Sequence, residues 1–170
     1  MIRAVIVGDP NRVPQYILRK FPEIQGACKA SMARLVIELT RKIKEEKLSG
    51  QVLKTGKKGG HLRRSITAHP PESTGTIITG RVGTNVEYAS IHEFGGKTPA
   101  HDIFPKRGRA LAFRASWGPG RGKEGKVVFA HVHHPGSVFP ERSFMRTALN
   151  EMKPEILAEF EHAIMEVIRR

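Results

Sequence analysis

Apolar residues recur at intervals of three or four from Ile24 through Cys28, Met32, Leu35 and Leu39 to Ile43. That is the period of a helix that buries one face. Glu23–Lys47 therefore reads as a helix of about six turns, with its basic residues outward and a glycine stop at Ser49-Gly50. A second such stretch begins near Ser143 and carries Phe144, Leu149, Met152, Ile156, Phe160, Ile164 and Val167 on one side. Pro154 is predicted to bend or restart this helix after Asn150. Between the two stretches the pattern changes to short β-branched runs. The order predicts an α+β fold, in which an antiparallel β-sheet packs against the long helix of the N-terminal half and the long C-terminal helix, with extended basic loops.

The remaining segments fill in this plan. Met1–Asp9 reads as a strand ending in a Gly-Asp turn, and lacks a signal peptide's cleavage region. Asn11–Phe21 reads as a short separate helix, with Phe21-Pro22-Glu23 as the break before the long one. His61–Ala68 reads as a strand start, Pro70-Pro71-Glu72-Ser73 as a turn and Thr76–Gly83 as the returning strand of a hairpin. Asn85–Phe94 is expected as a short helix stopped by Gly95-Gly96. Lys97–Gly125 is the least regular stretch, around a strand at Ala110–Phe113, and Lys126–Val132 is a further strand. A chain of 170 residues is expected to be one domain. Its segments at about 51–61 and 97–125 are rich in Gly, Pro and Lys and are expected to be mobile. No stretch has the length of a transmembrane helix, so no membrane partner is expected.

Charge is the second constraint. The net charge is +13, which implies an acidic partner, with nucleic acid the commonest. The charge is uneven: Arg41–Arg64 holds nine Lys or Arg against two Glu, whereas Glu151–Glu166 is acidic on balance. With only eleven aromatic residues and no base-reading motif, the most that such residues allow is sequence-independent contact with phosphates.

The candidate chemistry is thin. His131 and His133 in a strand would share a face and offer two metal ligands, but no carboxylate or cysteine flanks them as a third. His92-Glu93 lacks the second histidine of a zinc-protease helix, since position 96 is glycine. Thr55–Gly60 and Gly118–Lys123 lack the glycine spacing and the terminal Ser or Thr of a phosphate-binding loop. Cys28, the single cysteine, sits on the apolar helix face as a small core residue. No catalytic residue, cofactor or metal is expected, and the chain does not read as an enzyme.

Several segments together resemble the neck and tail-completion proteins of long-tailed bacteriophages. They are Thr55-Gly56 with Leu62-Arg63-Arg64-Ser65-Ile66, then Gly83–Ala89 with Glu93-Phe94-Gly95, and then Pro140-Glu141-Arg142-Ser143-Phe144. Lys57–His61 lengthens the first of these, and Ser143 stands where such proteins tend to carry a second proline. The resemblance implies a structural virion component at the head–tail junction. It implies a homo-oligomeric ring that touches connector or head-completion proteins and tail-terminator or tail-tube proteins, is assembled in the host cytoplasm, and lets double-stranded DNA pass. In that setting Lys54, Lys57, Lys58, Arg63, Arg64, Lys106, Arg107, Arg121 and Lys123 form basic loops facing DNA or a partner.

The motif residues Tyr88, Glu93, Phe94, Gly95, Pro140, Arg142 and Phe144 are expected to be structural. Tyr88, Ile91 and Phe94, three residues apart, would pack one helix face against the sheet, with Tyr88, Phe94 and Phe144 in the core. Ser143 would cap the terminal helix. Arg142 would either bind a carboxylate, Glu93 for example, or be solvated. Two other readings fit the same charge and histidines: a free-standing basic DNA-binding protein, and a small metal-dependent nuclease.

Overall fold

Helix α1 (Gln15–Lys42) is the element against which most of the first unit packs. The computed structural model describes residues 2–5, 15–53, 60–106, 108–109, 111–114, 126–129 and 131–170. These residues form two compact units, one of 1–94 with 141–170 and the other of 95–140. The fold is of the α+β class.

In the first unit, β1 (Ile2–Val5), β2 (Thr67–Thr74) and β3 (Ile77–Gly83) form an antiparallel sheet in the order β1-β3-β2. Helix α1 lies against this sheet, and the C-terminal helix α4 (Met145–Arg169) runs along α1. The side chains predicted for the helix stripe are the ones that go inside: Ile24, Cys28, Met32, Leu35, Leu39 and Ile43 are all buried. Each large one contributes about 1.5–3 kcal/mol relative to exposure. From α4 the inward face is Ala148, Met152, Ile156, Ala163 and Val167.

Both helices continue through their prolines. Pro22 lies inside α1 and Pro154 inside α4, so neither helix restarts where the sequence predicted a break. A proline in a helix interior removes one backbone bond at about 3 kcal/mol. The apolar face of each helix continues across its proline, from Ile17 to Ile24 in α1 and from Met152 to Ile156 in α4, and its burial outweighs that local loss.

The end of the long helix is not regular. Ile43–Lys47 is a π-helical turn, closed by Leu48 N–H donating to the Ile43 carbonyl at 3.0 Å. The wider turn brings Ile43, Lys47 and Leu48 all inside. Lys47 was expected outward; instead its ammonium donates to Glu151 at 2.6 Å and to Gln51 at 2.9 Å, which satisfies a buried charge. Gly50 follows with φ +143°, a conformation that glycine adopts without strain. Val52 and Leu53, in the segment expected to be mobile, are half-buried against the core.

Two expectations in the hairpin region are corrected. His61–Ser65 is not a strand start but the short helix α2, because Leu62 and Ile66, four residues apart, are both buried. Pro70-Pro71 is not a turn: it lies within β2, where the register slips by one residue between His69 and Glu72. Strand β2 is an edge of the sheet, so the amide hydrogens that the prolines lack have no ladder partner to lose. The turn is Gly75-Thr76, joining Thr74 and its partner Ile77, with Gly75 at φ +58°.

The described strands of the second unit pair two by two as an antiparallel ribbon. Strand β4 (Gly96–Thr98) pairs with β9 (Ser137–Phe139), and β5 (His101–Ile103) with β8 (Val132–His134), in one continuous register. Further out, β6 (Leu111–Arg114) pairs with β7 (Lys126–Phe129) in a shifted register. The described residues between 97 and 114 are thus more regular than expected. Their strands were hard to see because most pairing runs are only three residues long and carry almost no apolar alternation.

Two predictions follow from the first unit. A methyl group at Gly80 on β3 would stand 2.5 Å from the Met32 sulfur and 2.6 Å from Val36 Cγ1. Gly80→Ala should therefore lower stability by about 1–3 kcal/mol in denaturant unfolding. The second concerns acid. Hydrogen bonds from Lys47 and then Lys42 hold the Glu151 carboxyl below its ordinary value. A lowered folded-state value means stability that is present above the ordinary glutamate range and lost as pH falls through the folded value. Glu151→Gln should melt below the parent at neutral pH, and the gap should close in acid; a gap that holds at all pH values would contradict this.

Candidate functional site

The short helix α3 (Ala89–Phe94) sits between β3 and the ribbon in sequence. Its inward residues are Ala89 and Glu93, continuing from Val86 at spacings of three and four. Tyr88 and Phe94, expected in the core, are exposed, Phe94 by 67%. The expected face was offset by one position, because the packing that decides it centres on Val86 and Ala89 rather than on the aromatics. Phe144, the third expected core aromatic, is fully buried. Gly95 ends α3 at φ +71°.

Burying Glu93 has a purpose visible in its contacts. Oε2 accepts the backbone N–H groups of Phe144 at 2.8 Å and Met145 at 2.9 Å, and Oε1 accepts that of Arg146 at 3.0 Å. These are first-turn donors of α4, which have no partner within their own helix. A carboxylate from a segment some fifty residues earlier therefore does what a capping side chain does locally, and it also meets the positive end of the helix dipole. Ser143, the expected cap, bonds to the Thr147 hydroxyl at 2.9 Å instead.

The arginine partner is likewise one turn on from the expected one. Arg146 places Nε 3.9 Å from Glu93 Oε1, donates to Glu141 at 2.6 Å, and lies 5.5 Å above the centre of the Phe94 ring. Arg142 has an exposed side chain, and its backbone N–H donates to the His92 carbonyl at 2.8 Å. Of the two alternatives for Arg142 the solvated one holds, and the arginine beside Glu93 is Arg146. A sequence sign of this was present: Phe144 stands at the cap position of α4 and cannot cap it.

Beside the cap lies an apolar cavity of about 490 Å³, walled by Leu39, Ile43, Val86, Ala89, Phe144 and Leu149. Glu93 and Arg146 are its charged lining residues. Both oxygens of Glu93 are committed to backbone donors, which leaves it holding structure rather than moving a proton. Cys28 is buried in the core, and burial pushes its thiol up from the ordinary value. On the ribbon, His133 Nδ1 pairs with Asp102 at 2.8 Å, His134 stacks on His101 at 5.1 Å and His131 on Phe104 at 5.7 Å. Among the described residues no three His, Cys, Asp or Glu side chains converge as a metal site.

Of the basic residues, Arg63 and Arg64 lie on α2, and Lys106 is exposed in the ribbon unit. Lys54, Lys57, Lys58, Arg107, Arg121 and Lys123 lie outside the described residues. Pro140 is exposed just ahead of α4. Among the described residues no helix is long and apolar enough to cross a membrane.

Residues 22–95 match the family model described as "Bacteriophage HK97-gp10, putative tail-component". The match spans α1 from Pro22 onward, the β2–β3 hairpin and α3, and closes just after Glu93. No curated protein and no solved structure matches the chain. The family match bears out the resemblance to phage neck and tail-completion proteins, and it supports a structural role in the virion.

Glu93→Ala would leave three N–H donors of α4 facing the cavity unpaired. It should cost about 3 kcal/mol or more and speed hydrogen exchange in the first turn of α4. Arg142→Ala should be close to neutral. Equal losses in the two variants would show that the cap is not what holds this helix.

Proposed function

We propose that the protein is a structural component of the phage head–tail junction, where copies form a ring that joins the head connector to the tail and lets the genome pass. The observation that carries this reading is the match of residues 22–95 to a phage tail-component family. The charge supports it: +13 per subunit, repeated around a ring, gives a lumen field that holds duplex DNA by phosphate contact without reading bases. The Glu93 cap fits an assembly part, since it spends the one buried carboxylate among the described residues on fixing a helix.

Arg64, Lys97 and Lys106 are exposed and carry no ion pair among the described residues. Changing all three to Gln should leave the melting curve unchanged and reduce plaque formation in a complementation assay. Binding of duplex DNA by the free wild-type subunit should be weak, indifferent to sequence and steeply reduced by salt. Imaging of labelled virions should place the chain between head and tail. Wild-type titre from the triple variant, with the chain absent from that junction, would replace this reading by that of a free DNA-binding protein.

A further inference from the structure

Helix α4 has two apolar faces, and only one is used. Opposite the buried face, Pro154, Leu157, Glu161 and Met165 recur at helical spacing and are exposed. Leu157 is 70% exposed and Met165 40%. Single exposed apolar residues are ordinary, but a stripe along one helix face marks a contact surface. The carboxylates of α4 divide in the same way. Glu151, Glu159 and Glu166 are paired with Lys47, Arg34 and Arg170, whereas Glu161, exposed on the stripe, has no ion pair among the described residues.

The ribbon unit carries the complementary pattern. Residues 95–140 hold eight Lys or Arg against two acidic residues. Every residue of β5 is exposed, and Phe104 next to it is 63% exposed. A two-stranded ribbon is marginal by itself and gains most from a surface to lie on.

We propose that the outward face of α4 receives the ribbon of a second copy of this chain, with Phe104 against Leu157 and Met165 and the ribbon's lysines and arginines near Glu161. The two surfaces differ, so the contact is head to tail, the kind that closes a ring. This rests on the ring reading above and names the surfaces that would build it.

The test uses the full chain in a Cys28→Ser background with Leu157→Cys and Phe104→Cys, oxidised at high protein concentration and in particles. A ladder of disulfide-linked copies, absent from either single-cysteine protein, is expected. Separately, Leu157→Lys with Met165→Lys should melt like the parent and weaken self-association by about tenfold or more in sedimentation velocity. Rings that form without the cross-link, together with normal assembly of the double lysine variant, would overturn this docking and leave the ring intact. A wild-type chain that stays monomeric at all concentrations and is missing from the head–tail junction would overturn both. Should the lysine variant fail to fold, the cross-link decides alone.

Discussion

One carboxylate ties the two ends of the first unit together. Glu93 closes the segment built on α1, the sheet and α3, and its oxygens hold the first amides of α4. Without it the last helix would begin at a phenylalanine with no local cap, next to an apolar cavity where water is a poor substitute. Phe144 can be fully buried because the amide that it carries is satisfied from the far side. The orientation of α4, and with it the face that it turns to α1 and the face that it leaves outside, follows from that anchor. A second tie, Lys47 to Glu151, fixes the same helix near its start to the π-helical turn that ends the long N-terminal-half helix.

This arrangement suits a part that must keep its shape while its surfaces do the binding. Among the described residues the two buried charged side chains are consumed by structure: Glu93 by backbone amides, Lys47 by Glu151 and Gln51. What remains for partners is outside, in unpaired lysines and arginines, exposed Phe94 and Phe104, and the outer stripe of α4. Binding by summed field and by repeated copies needs no reading pocket, and the similarity of residues 22–95 to a phage tail component agrees with that economy.

The helical cores were legible because burial on one face leaves a period in the residues themselves: every member of the Ile24 to Ile43 stripe is inside. The motif Glu93-Phe94-Gly95 was legible as important but not as to why. Its aromatic residue looked like the anchor, yet Phe94 is outside and the glutamate is the buried partner. A charged residue reads as surface until a set of donors is known to wait for it, and those donors lie some fifty residues away. The prolines misled for a related reason. Local propensity predicted breaks at Pro22 and Pro154 and a turn at Pro70-Pro71, and tertiary burial in the helices and an edge position in the sheet made each of them tolerable.

By itself, then, the sequence determined the α+β class, the inward face of each long helix, the hairpin strand Ile77–Gly83 and the strongly basic balance, since periodicity and charge are local properties written into consecutive residues. Only the tertiary structure decided that Glu93 caps α4, that Arg146 rather than Arg142 attends it, that Lys47 is buried, and that β4 and β5 pair with β9 and β8 in one register. Each of these depends on a partner distant in the chain. The free energy of such a pair exists only once the chain has brought its members together, so no window of neighbouring residues contains it.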